Sequence, residues 1–348
     1  MIRSLTLSLT LAFASAILPS VALGQAFDVV YETKGGQPSR GSISNMTRDE
    51  VVLDVSGVPR TFKVNEIARL TLADEPQELG SARNAVTQSN WNVAAQELRK
   101  LEGVAVDRSY IKADIDFFKA LVAAKLAMTE GGDKAAAEKA LLDFVRANSA
   151  NWHFYAAAES LGDLAVSSGK YAEAAKYYGP IAAAPFGEYQ MKANNSIGRA
   201  LTAQKQYPDA ITRFDAVIDG SLSTPEAAQQ KTLASIGKAV CLAATGKADE
   251  GLTIVNDIIA KNDPADVTLF ARAYNALGNC YLKTGKNKDA LQAFLHTDIL
   301  FYADSESHAE ALYHLSKLWA TEEKPDRATA ARTTLRERYS GSVWATLD

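Results

Sequence analysis

Cysteine and aromatic residues are scarce in this sequence and positive charge is not in excess, and each of these features excludes a class of protein. Two cysteines in 348 residues cannot make the disulfide framework that stabilises small secreted domains. Aromatic residues make up only 8% and the net charge is −4, so the chain lacks the basic, stacking surface of a nucleic-acid-binding protein. The chain is instead rich in alanine, which suits closely packed helices.

Recognisable catalytic motifs are also missing from the sequence. The four histidines do not form a metal-binding spacing such as H-E-x-x-H. The sequence contains no Walker phosphate loop, no G-x-S-x-G elbow and no dinucleotide fingerprint, and no two carboxylates stand out as an acid and base couple. We therefore predict a protein without catalytic residues, cofactor or metal ion.

The N-terminus indicates export. Arg3 precedes an apolar run at residues 5–18, and small residues follow it up to Gly24. We predict that residues 1–24 are a signal peptide, with cleavage after Gly24 or, alternatively, after Ala26. An uncleaved membrane anchor is a further alternative, but the run is short for a span of about 20 residues. The mature chain is then soluble, without a membrane span or a lipid anchor, and is periplasmic or secreted.

Residues 27–75 have the pattern of short β-strands. Turns at Gly35-Gly36 and Gly57-Val58-Pro59 separate β-branched runs such as Val51-Val52-Leu53. About five strands in so few residues predict a small, strongly bent β-barrel. The order of these strands resembles Sm-like and SH3-like barrels. Many Sm-like proteins bind RNA, but the predicted export favours a docking module here.

From about residue 78 the sequence is helical and repetitive. An apolar residue followed by glycine recurs at intervals of 36, 39 and 41 residues, and a turn and a second helix follow each pair. The four pairs are Leu161-Gly162, Ile197-Gly198, Ile236-Gly237 and Leu277-Gly278. The second helices carry an aromatic residue such as Phe214 or Phe294, which we expect to pack back on the first helix.

These residues resemble the tetratricopeptide repeat family over about residues 78–340. The segment Tyr274–Tyr281 and the segment from Gly285 through Ala290 to Phe294 match its motif, although the intervals exceed the usual ~34 residues. The resemblance implies a mainly α fold, with an α-solenoid of about six to seven helical hairpins in residues 78–348.

The two cysteines lie in first helices of neighbouring predicted hairpins. Stacked helices run about 8–10 Å apart, whereas a disulfide needs Cα atoms within about 7 Å. We therefore predict that Cys241 and Cys280 are two buried thiols, with a disulfide as the alternative.

The resemblance also implies a binding face, because first helices line the concave groove in this family. The positions one after each glycine, and three and six before it, share that face. Over three consecutive repeats they are mostly lysine, arginine and asparagine: Lys192, Asn195, Arg199, Lys231, Lys238, Arg272, Asn275 and Asn279, with Lys283 nearby. We predict that this groove holds an acidic or C-terminal carboxylate-bearing segment of a protein partner. A merely solvated helix face is the alternative.

The sequence as a whole predicts an exported, non-enzymatic adaptor or scaffold that binds proteins. An accessory subunit of a cell-envelope biogenesis or secretion assembly is one alternative, because residues 335–342 resemble helical-repeat proteins of outer-membrane assembly. An Sm-like RNA-binding protein and an enzyme with an unrecognised site are the others. The sequence leaves the oligomeric state and the identity of the partner open.

Overall fold

A computed structural model describes residues 27–347, so the predicted signal peptide lies outside the described residues. The described chain begins with an antiparallel sheet in the order β4-β3-β2-β1-β5. The strands are β1 (Asp28–Glu32), β2 (Ser39–Met46), β3 (Glu50–Val55), β4 (Val58–Lys63) and β5 (Ile67–Thr71). The five predicted strands are confirmed. Among them β4 and β5 are the two edges and do not pair with each other, so the sheet is open and the predicted closure into a barrel is not confirmed.

The rest of the described chain is helical. Seven antiparallel hairpins follow the sheet, in agreement with the predicted six to seven, and a short helix α15 (Val343–Thr346) ends the fold. The hairpins are α1/α2 (Gln77–Thr87, Trp91–Arg99), α3/α4 (Ser109–Glu130, Lys134–Ala147), α5/α6 (Phe154–Ser167, Tyr171–Ala182), α7/α8 (Gly187–Ala203, Tyr207–Ile218), α9/α10 (Pro225–Ala244, Ala248–Lys261), α11/α12 (Val267–Lys283, Asn287–Leu300) and α13/α14 (Ser305–Thr321, Pro325–Arg338). We call the odd-numbered member of each hairpin its first helix.

Helix ends follow from local chemistry. The side chains of Asp133, Thr224 and Asp266 each accept a hydrogen bond from the backbone N–H three residues later, which caps α4, α9 and α11. The turns inside hairpins need a left-handed residue, and glycine supplies it at Gly246 and Gly285. Short capped helices joined by tight turns therefore produce antiparallel neighbours.

Glycine and phenylalanine hold the hairpins together. Phe214 on α8 is 1% exposed and lies between two first helices. A Cβ atom added to Gly198 would lie 2.6 Å from its ring and one added to Gly237 would lie closer still, so both positions require glycine for this approach. Phe294 meets Gly278 in the same way, at 2.7 Å. The repeated glycine and aromatic residues of the sequence are thus the contacts within and between hairpins.

The sheet is packed onto the first hairpins. Val30, Leu53 and Leu70 of the sheet share one hydrophobic core with Leu79 of α1 and Phe117 of α3. A hydrophobic core that runs through both parts leaves no solvated linker between them. The sheet therefore covers the N-terminal end of the solenoid, which would otherwise expose apolar surface.

Polar contacts fix the orientation of the sheet. Arg108 at the start of α3 donates two hydrogen bonds, of 2.7 and 3.0 Å, to the carboxylate of Asp28. The hydroxyl of Tyr155 on α5 donates to Asp49 at 2.6 Å. Burial works to raise the pKa of Asp28, but its bonds to Arg108 and to the backbone outweigh burial and lower the pKa.

A buried ionic network lies beside this junction. Asp114 on α3 is 1% exposed, and its two oxygens lie 3.1 Å from Arg83 on α1 and 3.1 Å from His153 before α5. Arg83 also donates to Glu75 at 2.8 Å, and the ring of Phe117 stacks on His153 at 3.8 Å. Burial lowers the pKa of His153, although Asp114 opposes the shift. These charges join the first three hairpins.

The two cysteines are free and buried, which confirms the predicted thiols. The sulfur of Cys241 lies 3.1 Å from the hydroxyl of Thr202, whereas that of Cys280 lies 3.9 Å from the backbone oxygen of Ala239. Burial raises the pKa of Cys280 to about 11.

The C-terminal end of the solenoid returns to its beginning. Lys134, the first residue of α4, donates hydrogen bonds of 2.6 Å to the backbone oxygens of Ser167 and Gly341. Gly341 packs so closely on α3 that an added Cβ would lie 2.6 Å from the backbone oxygen of Ala127. The seven hairpins therefore wind far enough for the segment after the last hairpin to contact the second.

Candidate functional site

The first helices form the inner layer of the solenoid. Neighbouring first helices touch each other in the pairs α3–α5, α7–α9, α9–α11 and α11–α13, while the second helices pack mainly on first helices. A layer whose members approach each other more closely has the smaller radius of curvature. The first helices α3, α5, α7, α9, α11 and α13 therefore line the concave groove.

The nine predicted binding residues lie on three consecutive first helices. They form a stripe on each helix, because residues three, four or seven apart share a helix face. The stripes are Lys192, Asn195 and Arg199 on α7, Lys231 and Lys238 on α9, and Arg272, Asn275, Asn279 and Lys283 on α11.

Two of the predicted residues are buried between helices. Asn195 is 6% exposed and donates from Nδ2 to the backbone oxygen of Gln230 on α9 at 2.9 Å. Asn275 is 2% exposed and donates in the same way to Ser307 on α13 at 2.8 Å. The prediction that these amides are open to a partner is not supported by their burial. They connect one first helix to the next.

Two arginines converge on one carboxylate in the concave groove. Arg199 on α7 forms an ion pair with Glu306 on α13, and Arg272 on α11 lies 3.9 Å from the other carboxylate oxygen. The side chains of Arg199 and Glu306 are 41% and 48% exposed, so the pair faces solvent rather than the core. The pair spans the groove between helices three hairpins apart.

The charges in this cluster perturb one another. The walls of the groove remove part of the water around Glu306 and so work to raise its pKa, but Arg199 and Arg272 outweigh this effect and lower the pKa to about 2. The Glu306 carboxylate raises the pKa of Arg199. Repulsion from Arg199 lowers the pKa of Arg272 despite the attraction of Glu306. The two guanidinium groups are therefore incompletely neutralised by the carboxylate that they share.

A second glutamate lies one helical turn along α13. The two oxygens of Glu310 accept hydrogen bonds of 3.0 Å from Asn275 and Asn279. Burial raises the pKa of Glu310, because amides stabilise a carboxylate less than arginines do. Asn279 thus binds an acidic side chain of this chain, which is the chemistry predicted for a partner.

The lysines of the groove differ in their neighbours. Lys192 pairs with Glu159 on α5 at 2.7 Å, and Lys238 pairs with Asp215 on α8 at 2.7 Å. Lys231 and Lys283 form no ion pair among residues 27–347. Of the lysines in the three stripes, these two are therefore available to a partner without the loss of an internal contact.

The acidic partners of these cations were missed by the sequence reasoning. Glu306 and Glu310 lie on the first helix of the last hairpin, and this helix lacks the glycine that aligned the other repeats. Without that glycine, the repeat motif does not indicate which residues of this helix face the groove. The acidic residues at the start of α13 were a signal, but only the fold brings them opposite Arg199.

A metal-binding cluster and a membrane-spanning helix are both absent from residues 27–347. These residues contain no group of three or more histidine, cysteine, aspartate or glutamate side chains that could hold a metal ion. In the same part of the chain, no helix has the length and apolar character needed to cross a membrane.

Known proteins match the fold of the helical region. Residues 159–223, which cover α5 to α8, match the tetratricopeptide repeat family model. A tetratricopeptide repeat protein from Parabacteroides merdae ATCC 43184 has a TM-score of 0.53 at 16% identity, over 75% of this chain and 92% of that protein. A search of curated proteins finds no match.

Two further solved structures with this fold are complexes. A Rap protein complexed with competence and sporulation factor has a TM-score of 0.54 at 13% identity, over 77% of this chain and 76% of that one. NprR in complex with its cognate peptide NprX has a TM-score of 0.50 at 15% identity, over 74% and 76%. The helical part of this chain is therefore an α-solenoid of tetratricopeptide-like repeats.

Proposed function

We propose that the chain is an exported, non-enzymatic adaptor that holds a segment of a partner protein in its concave groove. The observation that carries the proposal is the inner layer of first helices, which presents exposed cationic side chains on three consecutive hairpins. A repeat array of this kind offers an extended surface to an extended segment.

The similar solved structures support the choice of a peptide-like ligand. NprR is in complex with a peptide, and the Rap protein is in complex with competence and sporulation factor. At identities of 13% and 15% the similarity concerns the fold, so the chemistry of the ligand is argued from the residues of this chain.

The charges favour an acidic segment of the partner. Lys231 and Lys283 lie on neighbouring first helices without an internal ion pair, and half-exposed Lys192 precedes them along the groove. An acidic side chain or a C-terminal carboxylate gains charge-assisted hydrogen bonds from these ammonium groups. The net charge of −4 for the whole chain gives RNA no such attraction.

Capture from a periplasmic extract tests the proposal. The double variant Lys231→Glu/Lys283→Glu reverses two groove charges without breaking an internal pair. The matched control, Lys176→Glu/Lys288→Glu, makes the same charge change on the second helices α6 and α12, and it likewise breaks no ion pair of the described residues. We expect the wild type and the control to retain the same partner and the groove variant to lose it. Equal recovery by all three proteins would refute the groove as the binding site.

Export is tested separately, by cell fractionation and by N-terminal sequencing of the mature chain. We expect the protein in the periplasm or medium, beginning at Gln25 or Phe27. A cytoplasmic protein that retains Met1 would contradict the export part of the proposal.

A further inference from the structure

The Arg199–Glu306 pair is a contact across the concave groove. Helices α9 and α11 lie between α7 and α13 in the order of the array, and each touches its own neighbours. Arg199 and Glu306 are 107 positions apart, yet they form an ion pair over these two intervening helices. A segment that follows the groove must pass this pair.

The carboxylate of Glu306 lies between two arginines of this surface. Arg199 binds one of its oxygens and Arg272 lies beside the other, so two guanidinium groups share a single negative charge. Asp163 attracts both arginines, but its carboxylate is already paired with Lys125 at 3.3 Å, and Glu310 is bound by two amides. Glu306 is therefore the carboxylate that both arginines contact directly.

Exchange of this carboxylate for another is energetically accessible. Glu306 retains 48% of its side-chain exposure and Arg199 retains 41%, so water and ligands reach both groups. A partner carboxylate in this position makes the same contacts with Arg199 and Arg272, so the exchange replaces one ion pair with an equal one. A second carboxylate with the same geometry therefore replaces the first at small cost.

We propose that Glu306 is a built-in competitor, which occupies the position between Arg199 and Arg272 that an acidic side chain of the partner takes on binding. The inference rests on the proposed function and deepens it. The partner segment carries a glutamate or aspartate side chain at this point, since a glutamate side chain already fills the position. Release of Glu306 frees α13 from α7 and widens the concave groove for the segment.

Peptide binding by the full mature chain tests the inference. The probe is a fluorescent peptide of six alternating glutamate and alanine residues with an amidated C-terminus, so that only side chains supply carboxylates. Glu306→Gln removes the competing charge with little change in shape. We expect it to bind the probe about two- to fivefold more tightly than the wild type, the size expected for an exposed ion pair. Arg199→Gln should bind at least fivefold more weakly.

Matched controls separate the competitor from a general charge effect. Glu337→Gln removes one negative charge on the exposed face of α14, and its affinity should equal that of the wild type. A neutral peptide with a free C-terminus should bind no better to Glu306→Gln than to the wild type. Small-angle X-ray scattering without peptide should give a larger radius of gyration for Glu306→Gln than for Glu337→Gln.

The outcomes distinguish the inference from the proposed function. Unchanged or weaker probe binding by Glu306→Gln overturns the competitor, and if the wild type still binds the probe in an Arg199-dependent way the proposed groove stands. A gain confined to the neutral peptide also overturns it, in favour of a terminal carboxylate. If the wild type and all variants fail to bind either peptide, the inference and the acidic-segment part of the proposed function fail together.

Discussion

The side-chain nitrogen of Lys134 lies 2.6 Å from the backbone oxygen of Gly341, which follows it by 207 positions. The same nitrogen donates to the backbone oxygen of Ser167 at 2.6 Å. One ammonium group thus joins the start of α4, the end of α5 and the C-terminal segment. It donates a hydrogen bond to each of two carbonyl groups at the point where the C-terminal segment contacts the second hairpin.

Removal of this ammonium group should destabilise the protein. Lys134→Met keeps the aliphatic part of the side chain but leaves the two carbonyl oxygens without their donor. We expect a loss of about 1–3 kcal/mol in the free energy of unfolding, measured by urea denaturation. Lys139→Met on the same helix removes only an exposed pair with Asp143 and should change stability by less than about 0.5 kcal/mol. Equal losses in Lys134→Met and Lys139→Met would show that the contact with Gly341 does not contribute to the free energy of unfolding.

A methyl group at Gly237 should disrupt the stacking of hairpins. The ring of Phe214 is enclosed between Gly198 and Gly237, so it cannot make room for an added methyl group. Gly237→Ala should therefore lower the free energy of unfolding by about 1–3 kcal/mol. The control Gly80→Ala on α1 adds its Cβ 3.7 Å from the nearest atom and should stabilise by up to about 1 kcal/mol. Thermal denaturation measures both. Addition of Phe214→Leu to Gly237→Ala should cost less than the sum of the two single changes, because both act on one contact.

Loss of charge at Asp114 should loosen the first three hairpins from one another. Asp114→Asn leaves the buried His153 and Arg83 without the shared anion, and we expect a loss on the order of 3 kcal/mol. Hydrogen exchange should rise first in α1, which Arg83 joins to Asp114 on α3. Asp116→Asn, two residues away, affects only an exposed pair with Lys112 and serves as the control. A variant at Asp114 as stable as this control would contradict the role of the network.

Acid should destabilise the protein through His314. Burial lowers the pKa of this residue to about 4 in the folded chain, against 6.5 when unfolded. Between these values the unfolded state binds the proton, so stability is present above pH 6.5 and falls as the pH decreases towards 4. The loss from this residue should be about 2 kcal/mol at pH 5.

Substitution of the ring isolates this effect. His314→Phe keeps an aromatic ring against Phe294, on which His314 stacks at 4.6 Å, but cannot be protonated. The decrease in unfolding free energy from pH 7 to pH 5 should therefore be smaller than in the wild type. His296→Phe changes an exposed histidine that stacks on Tyr274 at 4.4 Å, and should keep the wild-type decrease. The same slope in all three proteins would exclude His314 as the source.

Most of the fold could be predicted from the sequence, because it depends on contacts between residues that are close in the sequence. The spacing of Gly198 and Gly237, and the aromatic residue at Phe214, are set by contacts within one hairpin or with the next. The hairpins and the five strands could therefore be predicted. Whether the strands close into a barrel depends on their twist and on the helices beneath them, which the order of strands does not determine.

The site could be predicted only in part, because it also depends on contacts between residues that are far apart in the sequence. The stripe of Arg272, Asn275 and Asn279 follows from helical periodicity, but the burial of Asn275 depends on how closely α13 approaches. The position of Glu306 beside Arg199 depends on the curvature accumulated over three hairpins. Periodicity assigns a residue to a face, and only the superhelix determines what lies opposite that face.

The hydrogen bond between Lys134 and Gly341 has a consequence for the cooperativity of folding. In an open array each repeat interacts with its neighbours alone, so the terminal repeats fray and unfolding can begin at either end. Here Lys134 in the second hairpin holds Gly341, which follows the last hairpin, and the two residues are far apart in the sequence. Such a contact forms late and slowly because a long loop must close first. The solenoid should thus lose its end-fraying behaviour and unfold as a more cooperative unit, with ring closure as the slow step of its folding.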